Sequence, residues 1–162
     1  MRFIILLCVF FMSAADASSR DLAYPESSWQ LEDPFGVVTV FDQKKTTKPT
    51  VLFFWASWCP YCHKLMPGLQ RVYDEFSDEG IDFYTINVWE TGDAMAYIFD
   101  HDHTFPVLVE GESVAAVYGV KGTPALFVLD EDGKVVFERT GKLTPEQVEI
   151  AVIDSLIGLL GN

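Results

Sequence analysis

Basic residues are scarce in this chain. Its 162 residues hold 11 Lys and Arg against 24 Asp and Glu, a formal net charge of −13 at pH 7. Phosphate contacts need clustered Lys or Arg, so the shortage argues against nucleic acid as a partner. It argues equally against docking on anionic lipid. An acidic surface of this kind serves solubility. Cysteine is scarce too: only Cys8, Cys59 and Cys62 occur, too few for a disulfide framework. Beyond the first residues, no apolar run approaches the roughly 20 residues a membrane helix takes. Internal repeats and low-complexity tracts are missing. What is plentiful is apolar material, 49% of the chain with 14% aromatic, against 22% charged. That balance excludes a largely disordered chain and fits one domain with a real core.

The first residues form a separate object. A positive start (Met1, Arg2) precedes an apolar run over 3–12, and Ala15 and Ala17 follow at A-x-A spacing. Residues 1–17 therefore read as a secretory signal peptide cut after Ala17, with an uncut N-terminal anchor as the second reading. Cleavage removes Cys8 and leaves one C-x-x-C pair. It removes Arg2 and Asp16 together, so the net charge stays at −13. The expected product is soluble and periplasmic or otherwise exported, in an oxidising compartment. Residues 18–28 read as an irregular lead-in and 29–162 as the folded domain.

Along that domain, 29–31 and 37–41 read as short strands around an Asp33-Pro34-Phe35-Gly36 turn. Residues 50–55 (TVLFFW) are continuously apolar, as a strand buried on both faces requires. A helix should follow Cys59 to about Ser77, with a kink at Pro67. Residues 81–88 read as a strand, 93–99 as a short helix, 105–109 as a strand and 113–118 as another short helix. Residues 125–129 and 135–139 flank Asp130-Glu131-Asp132-Gly133, a hairpin signal. Thr144, Pro145 and Gln147 spell an N-cap, a first-turn proline and a capping box for the last helix. The β-α-β start implies a parallel pair, the hairpin adds an antiparallel edge, and helices can cover both faces. The fold class is α/β, a mixed central sheet flanked by helices, with an N-terminal β-hairpin extension.

Chemistry is concentrated between the buried strand and the helix. A thiol becomes a good nucleophile at neutral pH only when its pKa is lowered. A helix N-terminus does this with unpaired N–H groups and a positive dipole end. Cys59 lies at the helix mouth and is expected to be the exposed attacking thiol. Cys62, one turn further in, is the buried resolving thiol. Two other readings share these residues. Zinc would need two more ligands, from His63, His101 and His103. Cys59-Pro60-Tyr61-Cys62-His63 also spells the C-x-x-C-H haem-c motif, which would need His63 and a Met as axial ligands. Met66 is too close along the same helix, which leaves Met95. Neither a metal nor any other cofactor is expected beyond the disulfide itself.

These residues resemble the thioredoxin superfamily, most closely its exported TlpA/ResA/DsbE-like branch of thiol-disulfide oxidoreductases. FWASWCPYC (residues 54–62) is similar to the family's active-site segment, and Pro67 matches its helix proline. Residues 118–124 (YGVKGTP) resemble the segment that carries its cis-proline, and 130–141 resemble its closing hairpin. Thr104-Phe105-Pro106-Val107 resembles the segment after the branch's insertion. The Pro60-Tyr61 spacer also matches glutaredoxins, but those act in the cytosol and hold glutathione with basic groups. Nothing resembles a peroxidatic cysteine loop.

The resemblance implies a cis Thr123-Pro124 bond beside the cysteines. It places Trp58, Thr123 and Pro124 in contact with an extended protein substrate. It implies a reductase of protein disulfides, fed by a membrane thiol donor of the DsbD or CcdA kind and serving cytochrome c maturation, and a monomer. A DsbA-like oxidase is the alternative, without the large helical insertion between 88 and 105 that would support it. A non-catalytic thioredoxin-like binding module and a haem-c carrier are the readings of another class. The chain also departs from the pattern. Phe53 stands where thioredoxins keep a buried acid, Thr85 replaces its lysine partner, and Leu65 replaces a glutamate of the branch. Glu90 is the candidate proton-handling group in their stead.

Overall fold

The computed structural model describes residues 27–139 and 141–161. The expected signal peptide and most of the lead-in lie outside the described residues. Ser27 is already buried and Ser28 opens the first strand, so the folded unit reaches slightly further back than Trp29. The chain runs β1 (Ser28–Glu32), β2 (Val38–Asp42), β3 (Thr50–Trp55), α1 (Pro60–Phe76) and β4 (Asp82–Asn87). It continues through α2 (Ala94–Asp100), β5 (Val107–Leu108), α3 (Glu112–Val117), β6 (Ala125–Leu129), β7 (Val135–Glu138) and α4 (Pro145–Leu160).

Five strands form the main sheet in the order β5-β4-β3-β6-β7. β3 pairs parallel to β4 and antiparallel to β6, and β7 closes the hairpin antiparallel to β6. All six residues of β3 are buried, which is why its sequence shows no polar alternation. Side chains of successive strand residues point to opposite faces. Val51, Phe53 and Trp55 therefore join Leu65, Leu69, Val72, Val152 and Leu156 under α1 and α4. Leu52 and Phe54 join Trp29, Leu31, Phe41, Val114 and Phe127 on the other face. The β1–β2 hairpin and α3 cover that second face. Buried Ser27 shares a 3.1 Å hydrogen bond with the Tyr118 hydroxyl, which fastens the hairpin beneath the sheet.

Helix α1 is 17 residues long and continues through Pro67 without interruption. The expected strand at 105–109 shrinks to two residues. Thr104 gives its N–H to Gln70, and Pro106 has no N–H to give. Helix α4 begins as its sequence spells, with Thr144 as N-cap and the reciprocal Gln147 bond both present.

Candidate active site

The end of β3 and the start of α1 set the site. Cys59 is the N-cap of α1, in extended conformation (φ −91°, ψ 102°), and its Sγ accepts the Cys62 N–H at 3.1 Å. Cys59 and Cys62 form a disulfide across a Cα–Cα separation of 5.3 Å. The first turn of α1 carries no acidic residue. A thiolate at Cys59 would thus sit at the positive end of the helix dipole with the Cys62 N–H directed at its sulfur, an arrangement that favours the charged form of a cysteine.

The expectation of an exposed Cys59 needs correction. It is only 2% exposed, and Cys62 is fully buried. The cause is the cap itself, which turns Sγ inward onto the Cys62 N–H. The exposed neighbours are Trp58, Pro60 and Tyr61. Lys64 lies over the Tyr61 ring, 5.2 Å from its centroid. The Thr123-Pro124 bond is cis. Both residues are half-buried, and Arg139 donates to the Pro124 carbonyl at 3.3 Å.

The loop before Cys59 is clamped from two sides. The Glu90 carboxylate accepts the Ser57 N–H at 2.8 Å and the Ser57 hydroxyl at 2.7 Å. It also accepts from Asn87 Nδ2 at 2.8 Å and from the Thr91 and Gly92 N–H groups. Partial burial pushes this carboxyl up, but the hydrogen bonds from Ser57, Asn87 and Gly92 outweigh it and bring its pKa down to about 2. Glu90 is therefore ionised at neutral pH, with both oxygens engaged. That chemistry suits a brace and poorly suits the proton carrier expected from the sequence. From the other side His63 bonds the Ser57 carbonyl at 2.8 Å. A carbonyl only accepts, so His63 carries its proton on Nε2.

His63, His101 and His103 line one pocket with Tyr97, as a stack of rings. His63 stacks on Tyr97 at 4.2 Å, and Tyr97 stacks on His101 at 4.0 Å. His103 lies beyond, its ring 6.3 Å from His101. Among the described residues no three His, Cys, Asp or Glu side chains are grouped to hold a metal ion. The His63 ring nitrogen is engaged by the Ser57 carbonyl, and Cys62 is fully buried. The positions that departed from the family pattern are apolar or engaged. Phe53 and Leu65 are buried, and Thr85 donates its hydroxyl to the Pro106 carbonyl at 2.7 Å.

Sequence reading missed Ser57, Asn87, Trp89 and Glu112. An amide side chain between Ile86 and Val88, at the end of a strand-forming run, was the available signal for Asn87. Trp89 is held by its backbone: its N–H donates to Glu112 Oε1 at 2.6 Å, and its carbonyl accepts from the Trp58 indole at 2.8 Å.

What this arrangement can do is exchange two electrons between one dithiol and one disulfide at a helix mouth. The class follows: a thioredoxin-like thiol-disulfide oxidoreductase. The AhpC/TSA family matches residues 23–138, and the chain belongs to that family. The thiol-disulfide oxidoreductase ResA of Bacillus thuringiensis subsp. konkukian is 34% identical over 126 residues, 73% of each chain. The sporulation thiol-disulfide oxidoreductase A of Bacillus subtilis is 29% identical over 105 residues, 62% of this chain and 64% of that one. The crystal structure of a thiol:disulfide interchange protein DsbE from Chlorobium tepidum superposes with a TM-score of 0.71 at 28% identity, covering 84% of this chain and 95% of that one.

Proposed function

We propose that this oxidoreductase works as an exported reductase of protein disulfides. The observation that carries the reading is the Cys59–Cys62 disulfide capping α1, with Cys59 as the residue nearer the surface. In the reduced protein the Cys59 thiolate attacks one sulfur of a substrate disulfide. A mixed disulfide forms and one substrate thiolate leaves. Cys62, deprotonated, then attacks Cys59 Sγ, which restores the internal disulfide and releases the second substrate thiolate. Two electrons pass to the substrate, and two protons complete the released thiols.

Trp58, Thr123 and Pro124 line the substrate side, with Pro60 and Tyr61 as the spacer. Glu90 braces Ser57 so that the loop entering the helix keeps its shape. The oxidised pair must be recharged in an oxidising compartment, and a membrane thiol donor of the DsbD or CcdA kind fits that need. Cytochrome c maturation is the pathway the ResA and DsbE likeness favours. Among the described residues no helix is long and apolar enough to cross a membrane. The apolar leader supports export, and the protein is proposed to act as a monomer.

The test is the reduction potential of the Cys59–Cys62 couple, equilibrated against glutathione. A reductase is expected near thioredoxin's value of about −270 mV. A value near DsbA's, about −120 mV, reverses the direction and makes the protein a thiol oxidant. Cys62→Ser should accumulate the mixed disulfide with a protein substrate, and Cys59→Ser should abolish exchange.

A further inference from the structure

We infer that Trp89 is a specificity-determining residue, whose indole receives an apolar or aromatic side chain beside the cysteine of a polypeptide substrate. Trp89 has φ +51°, in the left-handed region that glycine occupies freely and a bulky residue rarely does. The chain nevertheless keeps a tryptophan there and holds it. Glu112 accepts its N–H, the Trp58 indole N–H donates to its carbonyl, and the next residue is the fully engaged Glu90.

Packing in the core does not account for all of the residue, since over a third of it stays exposed. Among the described residues, neither of the two apolar clusters includes Trp89, and 37% of it is exposed. Its partner Trp58 is 48% exposed and Tyr61 is 65% exposed. The Trp89 backbone is tied to the active-site motif, because the Trp58 indole N–H donates to the Trp89 carbonyl at 2.8 Å. Backbone strain retained at a functional site points to a role for the side chain it displays. A tryptophan face excludes water and favours offset or edge-on contact with another ring, and tryptophan is enriched where binding energy concentrates. The occupant follows from position: Trp89 is tied to the residue directly before Cys59, so the segment flanking a substrate cysteine comes within its reach. This rests on the thiol-disulfide reading.

The test uses the reduced full-length protein and three disulfides. Two are synthetic disulfide-linked peptides identical but for Phe or Ser after the cysteine. The third is oxidised glutathione, which offers no apolar neighbour. Second-order rate constants come from stopped-flow fluorescence. The native protein should reduce the Phe peptide about tenfold faster than the Ser peptide, a ratio worth about 1.4 kcal/mol. Trp89→Ala should bring the ratio close to one, and Trp89→Phe should largely restore it. Trp89→Asn, which tolerates the left-handed backbone, keeps the test open should the alanine variant fail to fold. Glu112→Ala, which frees the Trp89 N–H, should lower the ratio as well. A native ratio near one, or a ratio unchanged in both Trp89→Ala and Trp89→Asn, overturns the inference. Failure of the native protein to reduce any of the three disulfides, glutathione included, is a different result: it removes the thiol-disulfide reading itself.

Discussion

At the scale of single residues, Glu90 shows how an acid can be visible in a sequence while its work is not. Its main partner, Ser57, lies 33 positions away. No local pattern announces that pairing, and only the parallel alignment of β3 with β4 brings the two loop starts together. Charged hydrogen bonds of this kind contribute about 1.5–3 kcal/mol when well placed. Partial exposure of Glu90 discounts that, so Glu90→Gln should lower stability by about 1–2 kcal/mol. The pH dependence has a definite sign. The folded pKa of Glu90 is depressed to about 2 from an ordinary 4.5. Its contribution is complete above 4.5 and fades as pH falls towards 2. Urea melts at several pH values should show a constant gap between the native protein and Glu90→Gln above pH 5, and a narrowing one below it. A gap that stays the same down to pH 3 would contradict the bracing role.

At the scale of elements, legibility follows the range of the interactions. The start of α4 could be read letter by letter because its cap is local: Thr144 accepts the Gln147 N–H and Gln147 returns to the Thr144 N–H. Thr144→Ala should cost about 1 kcal/mol, seen as a lower Tm in thermal unfolding. β3 was equally plain, since burial on both faces leaves a continuous apolar run. β5 was not. Val107 and Leu108 lie between Phe105 and Val109 in a run that reads as a strand, but Pro106 and contacts from outside the segment bound it. Gln70 captures the Thr104 N–H, and Thr85 spends both its N–H and its hydroxyl on the Pro106 carbonyl. The cap at Cys59 was legible as a position and misread as an exposure. Sequence shows where a helix begins, but not which way its capping side chain turns.

At the scale of the whole molecule, the hairpin is the part that spacing alone could not place. Trp29 stacks on Phe41 with ring centroids 5.0 Å apart and meets Tyr84 edge-on at 5.6 Å. It thereby closes the sheet face opposite α1 and α4. Contacts such as Ser27 with Tyr118, 91 positions apart, fix the hairpin there. Trp29→Ala should destabilise the fold by about 3–5 kcal/mol, measured by urea unfolding. Since the hairpin lies on the far side of the sheet from the helix that carries the cysteines, the potential of the Cys59–Cys62 couple should move little in the same variant. A large change in potential would mean that the two faces are coupled.

The margins of the main sheet carry one more consequence. On one side β5 offers only two residues, and Val109 just beyond it is already bridged to Glu32. On the other, the pairing of β7 with β6 slips between Val128 and Leu129, and the strand ends on Glu138. Short, irregular and charged margins make poor templates for another strand. With margins of this kind, a polypeptide that meets the sulfur pair finds no open sheet edge to extend, and the protein itself is guarded against stacking edge to edge.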